Sequence, residues 1–408
     1  AKTAACSAAL SAPSGPVSLE IPVDVQRGPI QGSARAYPPL VQRPNACDEA
    51  LQELAERVKS ARRPMLWLGG GAIDACAPAR ELVRRGFGAV SSTNGRAVVP
   101  ESEAANLGAF NMTPAAVEIY ESCDLMIVVG SRLRGNETRN NKMPLPHPLV
   151  QIDADALQGG RNYAVEQFVH GDACSTLERL LELLPDTLDV DAGLKFDIAK
   201  ARAQSEGILR DQLGPYRHIA DFLAERLPAG GHPWVRDVTI SNSTFGNRHV
   251  GFSDPRHGVH ALGGGIGQGV AMGIGAALAC KTAKTVTILG DGGTMLGIAE
   301  MITAVEEKAP LVYILMNDQA YGVIKNIQDA QYDSRHHYSA LHTPNFEMFC
   351  GSIEMPHSKV SEIDDFEAVF EAAMSKDGPH VIEVDMCAIG PFAQTFAGPP
   401  AGAAGKAE

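Results

Sequence analysis

Between residues 286 and 322 the apolar positions form two short unbroken runs separated by a stretch in which they recur every three or four places. Val286 to Leu289 reads as a buried strand because a brief β-branched run is halted by Gly290. Met295, Ile298, Met301, Ile302 and Val305 then mark one crossover helix, which Pro310 closes. Leu311 to Met316 is a second buried strand, stopped at Asn317-Asp318 and Gly322. A strand, crossover and strand of this length predict parallel pairing with a right-handed connection. Asp291 and Asp318 are therefore expected side by side at neighbouring strand ends.

The same alternation of short apolar runs with helical periodicity recurs upstream. Asp48 to Ala61 predicts an amphipathic helix, Met65 to Leu68 a strand, and Gly69-Gly70-Gly71 a tight turn into a helix around Ala77 to Arg85. Strands are expected at Gly88 to Val90, Leu125 to Val129 and Val150 to Ile152. Alternating strands and helices predict an α/β chain with two doubly wound parallel-sheet domains. Ala1 to Ala12 reads as the end of a helix, and Gly15 to Asp24 alternates apolar and polar like a terminal strand. The expected layout is a remnant of a further domain at 1–28, a linker at 25–44, a middle domain at 45–185, a third domain at 208–395 and a Pro/Gly/Ala-rich tail at 396–408. Pro185 to about Gly207 shows no strong apolar stripe and is read as the boundary between the two sheets.

In the third domain a helix over Tyr216 to Leu227 precedes a predicted strand, Val238-Thr239-Ile240, that runs into Ser241-Asn242-Ser243-Thr244. The hydroxyls and amides of Asn242, Ser243 and Thr244 could hydrogen-bond phosphate oxygens. Gly263 to Gly275 is glycine-dense without Gly-x-Gly-x-x-Gly spacing, so a nucleotide loop fails on register. Helices are predicted at Tyr321 to Gln331, Phe346 to Gly351 and Asp365 to Met374, with a last strand at Val381 to Val384.

The chemistry follows from the carboxylates. Open α/β sheets bind ligands at the carboxyl ends of their strands. Gly292 and Gly293 let the backbone approach a bulky anion, and a helix start offers unpaired N–H groups to phosphate. Two carboxylates beside that anion would repel it. A hard cation between them removes the conflict, since Mg²⁺ takes one or two protein carboxylates together with carbonyl and phosphate oxygens. The residues thus point to a magnesium diphosphate site.

Composition narrows the rest. The 408 residues carry a net charge of −13, 45% hydrophobic and 20% charged side chains, the make-up of a globular protein. A diffuse acidic surface argues against nucleic acid or an anionic membrane as partner. The cysteines at 6, 47, 76, 123, 174, 280, 350 and 387 form no Cys-x-x-Cys pair and no zinc spacing, and are read as buried reduced thiols of a cytoplasmic protein. The most apolar stretch, Leu262 to Cys280, is broken by glycines and is no membrane span.

Gly290-Asp291-Gly292-Gly293 followed by Asn317-Asp318 resembles the cofactor motif of the thiamine diphosphate decarboxylase and acetohydroxyacid synthase superfamily. The resemblance implies thiamine diphosphate and Mg²⁺, with Asp291, Asp318 and the main-chain oxygen of Ala320 as metal ligands. It places Gly265, Ile266, Gly290, Gly292, Gly293, Tyr321 and Gly322 around the cofactor, with Ile266 as the apolar wedge beneath its bent form. Asp318 stands where the family more often has Asn. Asn94 to Glu101, Asp124 to Arg132 and Gln151-Ile152-Asp153 resemble the family's middle domain. That domain holds FAD in acetohydroxyacid synthases, but Ser131-Arg132-Leu133-Arg134-Gly135 replaces their Arg-Phe-Asp-Asp-Arg run, so FAD is not expected.

The family's pyrimidine-binding domain supplies a glutamate that protonates the cofactor's aminopyrimidine. Residues 1–28 resemble only its last helix and strand. The missing part is expected in an absent N-terminal portion or another chain, within a homodimer or homotetramer. No catalytic side chain is assigned, and none of the histidines is given a role. Ile324 stands where acetaldehyde-releasing decarboxylases carry glutamate, which favours a carboligase or an enzyme of a bulkier substrate. The implied activity is cleavage or formation of a carbon–carbon bond beside a carbonyl, on a 2-oxo acid or hydroxy ketone. The alternatives are a flavin-containing synthase, or a cofactor-binding subunit that is silent without a partner.

Overall fold

The computed structural model describes residues 2–29 and 38–396, and within them two parallel sheets. The first contains β1 (Pro64–Leu68), β2 (Gly88–Ser91), β3 (Leu125–Val129), β4 (Leu149–Asp153) and β5 (Gln167–His170), in the order β2-β1-β3-β4-β5. The second contains β6 (Trp234–Arg236), β7 (Gly258–His260), β8 (Thr285–Gly290), β9 (Leu311–Asn317), β10 (His357–Val360) and β11 (Pro379–Asp385), in the order β10-β11-β9-β8-β6-β7. The doubly wound α/β expectation is met.

Helices cover both faces of each sheet, so the central strands are buried along their whole length, as all-parallel sheets require. Side chains alternate between two cores. On the first sheet Leu66, Leu68, Ile127 and Val129 face one core, while Met65, Trp67, Met126 and Val128 face the other. On the second, Val286, Ile288, Val312 and Ile314 oppose Leu289, Leu311, Tyr313 and Leu315. The register pairs Gly290 with Met316 and Asn317 with Asp385. Asp291 is therefore level with Asn317, and Asp318 follows one residue further along the adjacent strand.

Four elements differ from the sequence expectation. The alternating segment Gly15 to Asp24 joins no sheet; it runs without regular structure into a helix at Val23–Arg27, with Val17, Leu19 and Ile21 exposed. Alternation marks two faces, but a strand also needs a neighbour's N–H and C=O groups, and no described residue supplies them. The supposed boundary around 185–207 contains the long helix Gly193–Gln212, which buries Leu194, Ile198, Ala201, Ser205 and Leu209. These five recur at helical spacing, but small residues in the middle of the stripe weaken its apolar signal. Val238-Thr239-Ile240 is not a strand. The strand ends at Arg236, and Asn242–Gly246 forms a wide helical turn with five-residue hydrogen bonds.

The crossover between β8 and β9 is three pieces, Asp291–Gly297, Ile298–Glu300 and Met301–Glu306, broken after Gly297. Its predicted apolar face is divided: Met301 is buried, whereas Met295 and Ile302 are exposed. β5, β7 and β10 are short strands that the pattern did not reveal. All eight cysteines are free, as expected, but Cys350 alone is fully buried, while Cys6, Cys47 and Cys387 are exposed. The proposed tail lies outside the described residues apart from Phe396, as does the linker segment 30–37.

Candidate active site

Asp291 is the first residue of the short helix Asp291–Gly297 and is 1% exposed. Its Oδ1 accepts a hydrogen bond from Gly292 N at 2.8 Å, and its Oδ2 one from Ala320 N at 3.2 Å. The second bond ties the end of β8 to the turn after β9. Asp318 lines the same cavity, close enough for its charge to bear on Asp291. Burial pushes both carboxyls up from the ordinary carboxylate range, and the neighbouring Asp318 charge adds to the rise at Asp291. Like charges this close in a desolvated site cannot both ionise without a compensating cation.

Glycines shape the space around the pair. A Cβ at Gly322 would lie 2.2 Å from Asp318 Oδ2, and one at Gly292 would lie 2.5 Å from the Tyr321 ring. At Gly293 a Cβ would sit 2.8 Å from Asp237 Oδ2. The turn is held open by Asn317, whose Nδ2 donates to Glu383 Oε1 at 2.8 Å and whose Oδ1 accepts from Gln319 N at 3.3 Å. Glu383 in turn contacts His357 Nε2 at 2.9 Å. These bonds fix the backbone that presents Asp318.

A cavity of about 240 Å³ opens over these groups. Gly290, Asp291, Gly292, Gly293, Asp318, Ala320, Tyr321, Gly322, Ile266 and Ile324 all line it. Of the other sequence candidates, Gly265 lies between two lining residues, Gly264 and Ile266, without lining the cavity itself. Asn242, Ser243 and Thr244 are not brought to it. Thr244 Oγ1 donates back to Ile240 O at 2.9 Å, and Ser243 faces a different cleft. Val238, Thr239 and Ile240 line the cavity in their place, because the strand ends earlier than the β-branched run suggests. No group of three or more His, Cys, Asp or Glu side chains able to hold a metal occurs among the described residues. Two carboxylates do meet, which is the usual protein share for Mg²⁺.

Asp237 is a residue the pattern gave no reason to single out. Fully buried one position past β6, it accepts from Val238 N at 2.8 Å, Gly267 N at 3.0 Å and Gly269 N at 3.2 Å. It thereby anchors the glycine-rich segment that carries Ile266. Gly263, Gly264 and Gly267 have φ of 68°, 74° and 89°, a conformation open to glycine at little cost. The polar residue closing an apolar strand was the available signal, and it was masked by the following Val-Thr-Ile run.

Residues 239–384 match the family model described as thiamine pyrophosphate enzyme, C-terminal TPP binding domain, and residues 51–180 match thiamine pyrophosphate enzyme, central domain. A probable 2-ketoarginine decarboxylase of Pseudomonas aeruginosa is 31% identical over 317 residues, which cover 76% of this chain and 56% of that protein. The acetolactate synthase large subunit of Haemophilus influenzae is 26% identical over 392 residues, covering 88% of this chain and 66% of that one. The chain thus spans only 56% of the length of the first of these relatives. An X-ray structure of a proposed thiamin diphosphate-dependent enzyme from Mycobacterium smegmatis superposes with a TM-score of 0.72 at 23% identity, covering 93% of this chain and 72% of that chain. That likeness shows the fold.

Proposed function

This chain belongs to the thiamine pyrophosphate enzymes, and from that premise we propose that it works with thiamine diphosphate and Mg²⁺ to cleave or form a carbon–carbon bond beside the carbonyl of a 2-oxo acid or hydroxy ketone. The observation that carries the reading is the meeting of Asp291 and Asp318 at adjacent strand ends, above a cavity that only glycines leave open. Mg²⁺ held by Asp291, Asp318 and the Ala320 carbonyl would neutralise the pair and receive the diphosphate oxygens. The thiazolium supplies the electron sink when the cofactor is bound.

The protein's own contribution is orientation. Asp291 and Asp318 fix the metal end, and the backbone at Gly290, Gly292 and Gly293 admits the diphosphate. Ile266, held by the Asp237-anchored segment, offers an apolar support beside it. A volume of about 240 Å³ is below the ~300–1,000 Å³ of whole ligand sites. It suits the diphosphate and thiazolium end, with the pyrimidine end received by a further domain or a second chain. No described side chain is assigned the proton transfer to the pyrimidine. The residues at 45–185 act as the middle domain and those at 208–395 as the diphosphate-binding domain.

The apolar Ile324 on the cavity wall favours a substrate or acceptor with an apolar face over release of a small aldehyde. Among the described residues no helix is long and apolar enough to cross a membrane. The test is carbon dioxide release from pyruvate or benzoylformate with cofactor and Mg²⁺. Turnover is expected only when a chain or segment bearing the pyrimidine-binding domain is supplied. Turnover by residues 1–408 alone would contradict the assignment of that proton transfer to a group elsewhere.

A further inference from the structure

Beside the cofactor cavity lies a larger cleft of about 720 Å³ between the two sheet domains. One wall comes from the middle domain, including Asn111, Arg134 and Glu137. The other comes from the second domain, including Arg248, His260 and Gly264. Gly264 lines both spaces, so the cleft adjoins the site of chemistry.

The charges on these walls do not balance. Arg134, Glu137, Arg248 and His260 are the titratable side chains lining the cleft among the described residues. Glu137 is already committed: its Oε1 accepts from Thr93 N at 3.1 Å, and its Oε2 lies 3.6 Å from Arg134 Nε. His260 is held neutral, pushed down to about 4 by burial and by the Arg236 charge. Arg248 donates Nη1 to Ser243 O at 3.1 Å, and no carboxylate pairs with it among the described residues. Burial and the Arg96 charge both lower its affinity for a proton. A half-buried guanidinium facing a cleft without an acid is costly to keep, and its planar donors match a carboxylate.

We propose that the cleft holds the far end of the substrate and that Arg248 selects a 2-oxo acid carrying a second carboxylate. A substrate ending in a guanidinium or ammonium would bring like charge against Arg248 and is disfavoured. The assignment of substrate class rests on the reading of the Asp291 cavity as the cofactor site, but the binding it predicts can be measured without cofactor.

The experiment is calorimetric titration of the full chain with glutarate, butyrate and 4-guanidinobutyrate, which share one carboxylate and differ at the other end. Glutarate should bind at least about tenfold more tightly than butyrate, the scale of one charge-assisted contact, and 4-guanidinobutyrate more weakly than either. Arg248→Met should abolish the preference for glutarate and Arg248→Lys should retain part of it. Both variants should bind thiamine diphosphate with Mg²⁺ as the unaltered chain does. Equal binding of the three acids, no binding by any, a preference for the guanidino acid, or a glutarate preference that survives Arg248→Met each overturns the proposal. Glutarate binding in a chain that takes up no thiamine diphosphate would sink the cofactor reading while leaving the cleft's anion preference standing.

Discussion

Asp291 and Asp318 are two acids folded into a space that disfavours both of their charges. In the metal-free chain their raised carboxyls hold protons at pH values where the unfolded chain, with carboxyls near ~3.9, has released them. The stability they contribute is therefore fully present below the unfolded value and is lost as pH rises through the folded values. Each unit of elevation is worth about 1.4 kcal/mol. Melting curves in a chelator should show stability falling as pH rises above the ordinary carboxylate range, and Asp318→Asn should flatten that fall. An unchanged slope in the variant would contradict the coupling. Mg²⁺ should act in the same direction as the substitution, because it removes the conflict by charge instead of by chemistry.

The elements around the pair explain why this site could be read from sequence and others could not. β8 and β9 are unbroken apolar runs in a sheet buried on both faces, and each is stopped just before one of the two cavity aspartates. Pattern and candidate site coincide there. The helix Gly193–Gln212 was hidden because Ala201 and Ser205 occupy its buried stripe, so close packing replaced hydrophobic bulk. Val238 to Ile240 misled in the opposite way: β-branched residues suited to a strand form the cavity wall instead, while the strand that leads to them is Trp234–Arg236. Just past the second aspartate, Gly322 begins the helix Gly322–Gln331, and its missing side chain makes room for Asp318. Alanine is intrinsically the better helix former by about 1 kcal/mol. Gly322→Ala should therefore leave the melting temperature nearly unchanged while weakening Mg²⁺-dependent cofactor binding at least about tenfold, the cost of displacing one charged ligand contact. Unaltered affinity by calorimetry would show that the Asp318 carboxylate is not needed where it lies.

For the whole molecule, what joins the two sheets is a buried polar cluster that no periodicity announces. Arg96 of the middle domain is 1% exposed, pairs with Glu101 at 2.6 Å, and donates to Gly246 O at 3.2 Å and Val250 O at 2.9 Å in the second domain. The Phe252 ring lies against both Arg96 and Arg236, with the guanidinium carbons 4.8 Å and 5.7 Å from its centroid. Glu101→Gln would leave the Arg96 charge buried without its acid, at a cost of about 3 kcal/mol. Denaturant unfolding should show that loss, and a change within about 0.5 kcal/mol would mean the carbonyls alone satisfy Arg96. The division into two parallel-sheet units was legible because each repeats strand and helix; the contacts that orient them were not, since they depend on single long-range pairs.

Asp291 and Asp318 are proposed to hold together the metal that receives the diphosphate, and the decisive measurement is calorimetric titration of the chain with thiamine diphosphate, with and without Mg²⁺. Binding should require Mg²⁺ and be abolished by Asp291→Ala. Equal affinity in the variant, or binding indifferent to Mg²⁺, would contradict that role.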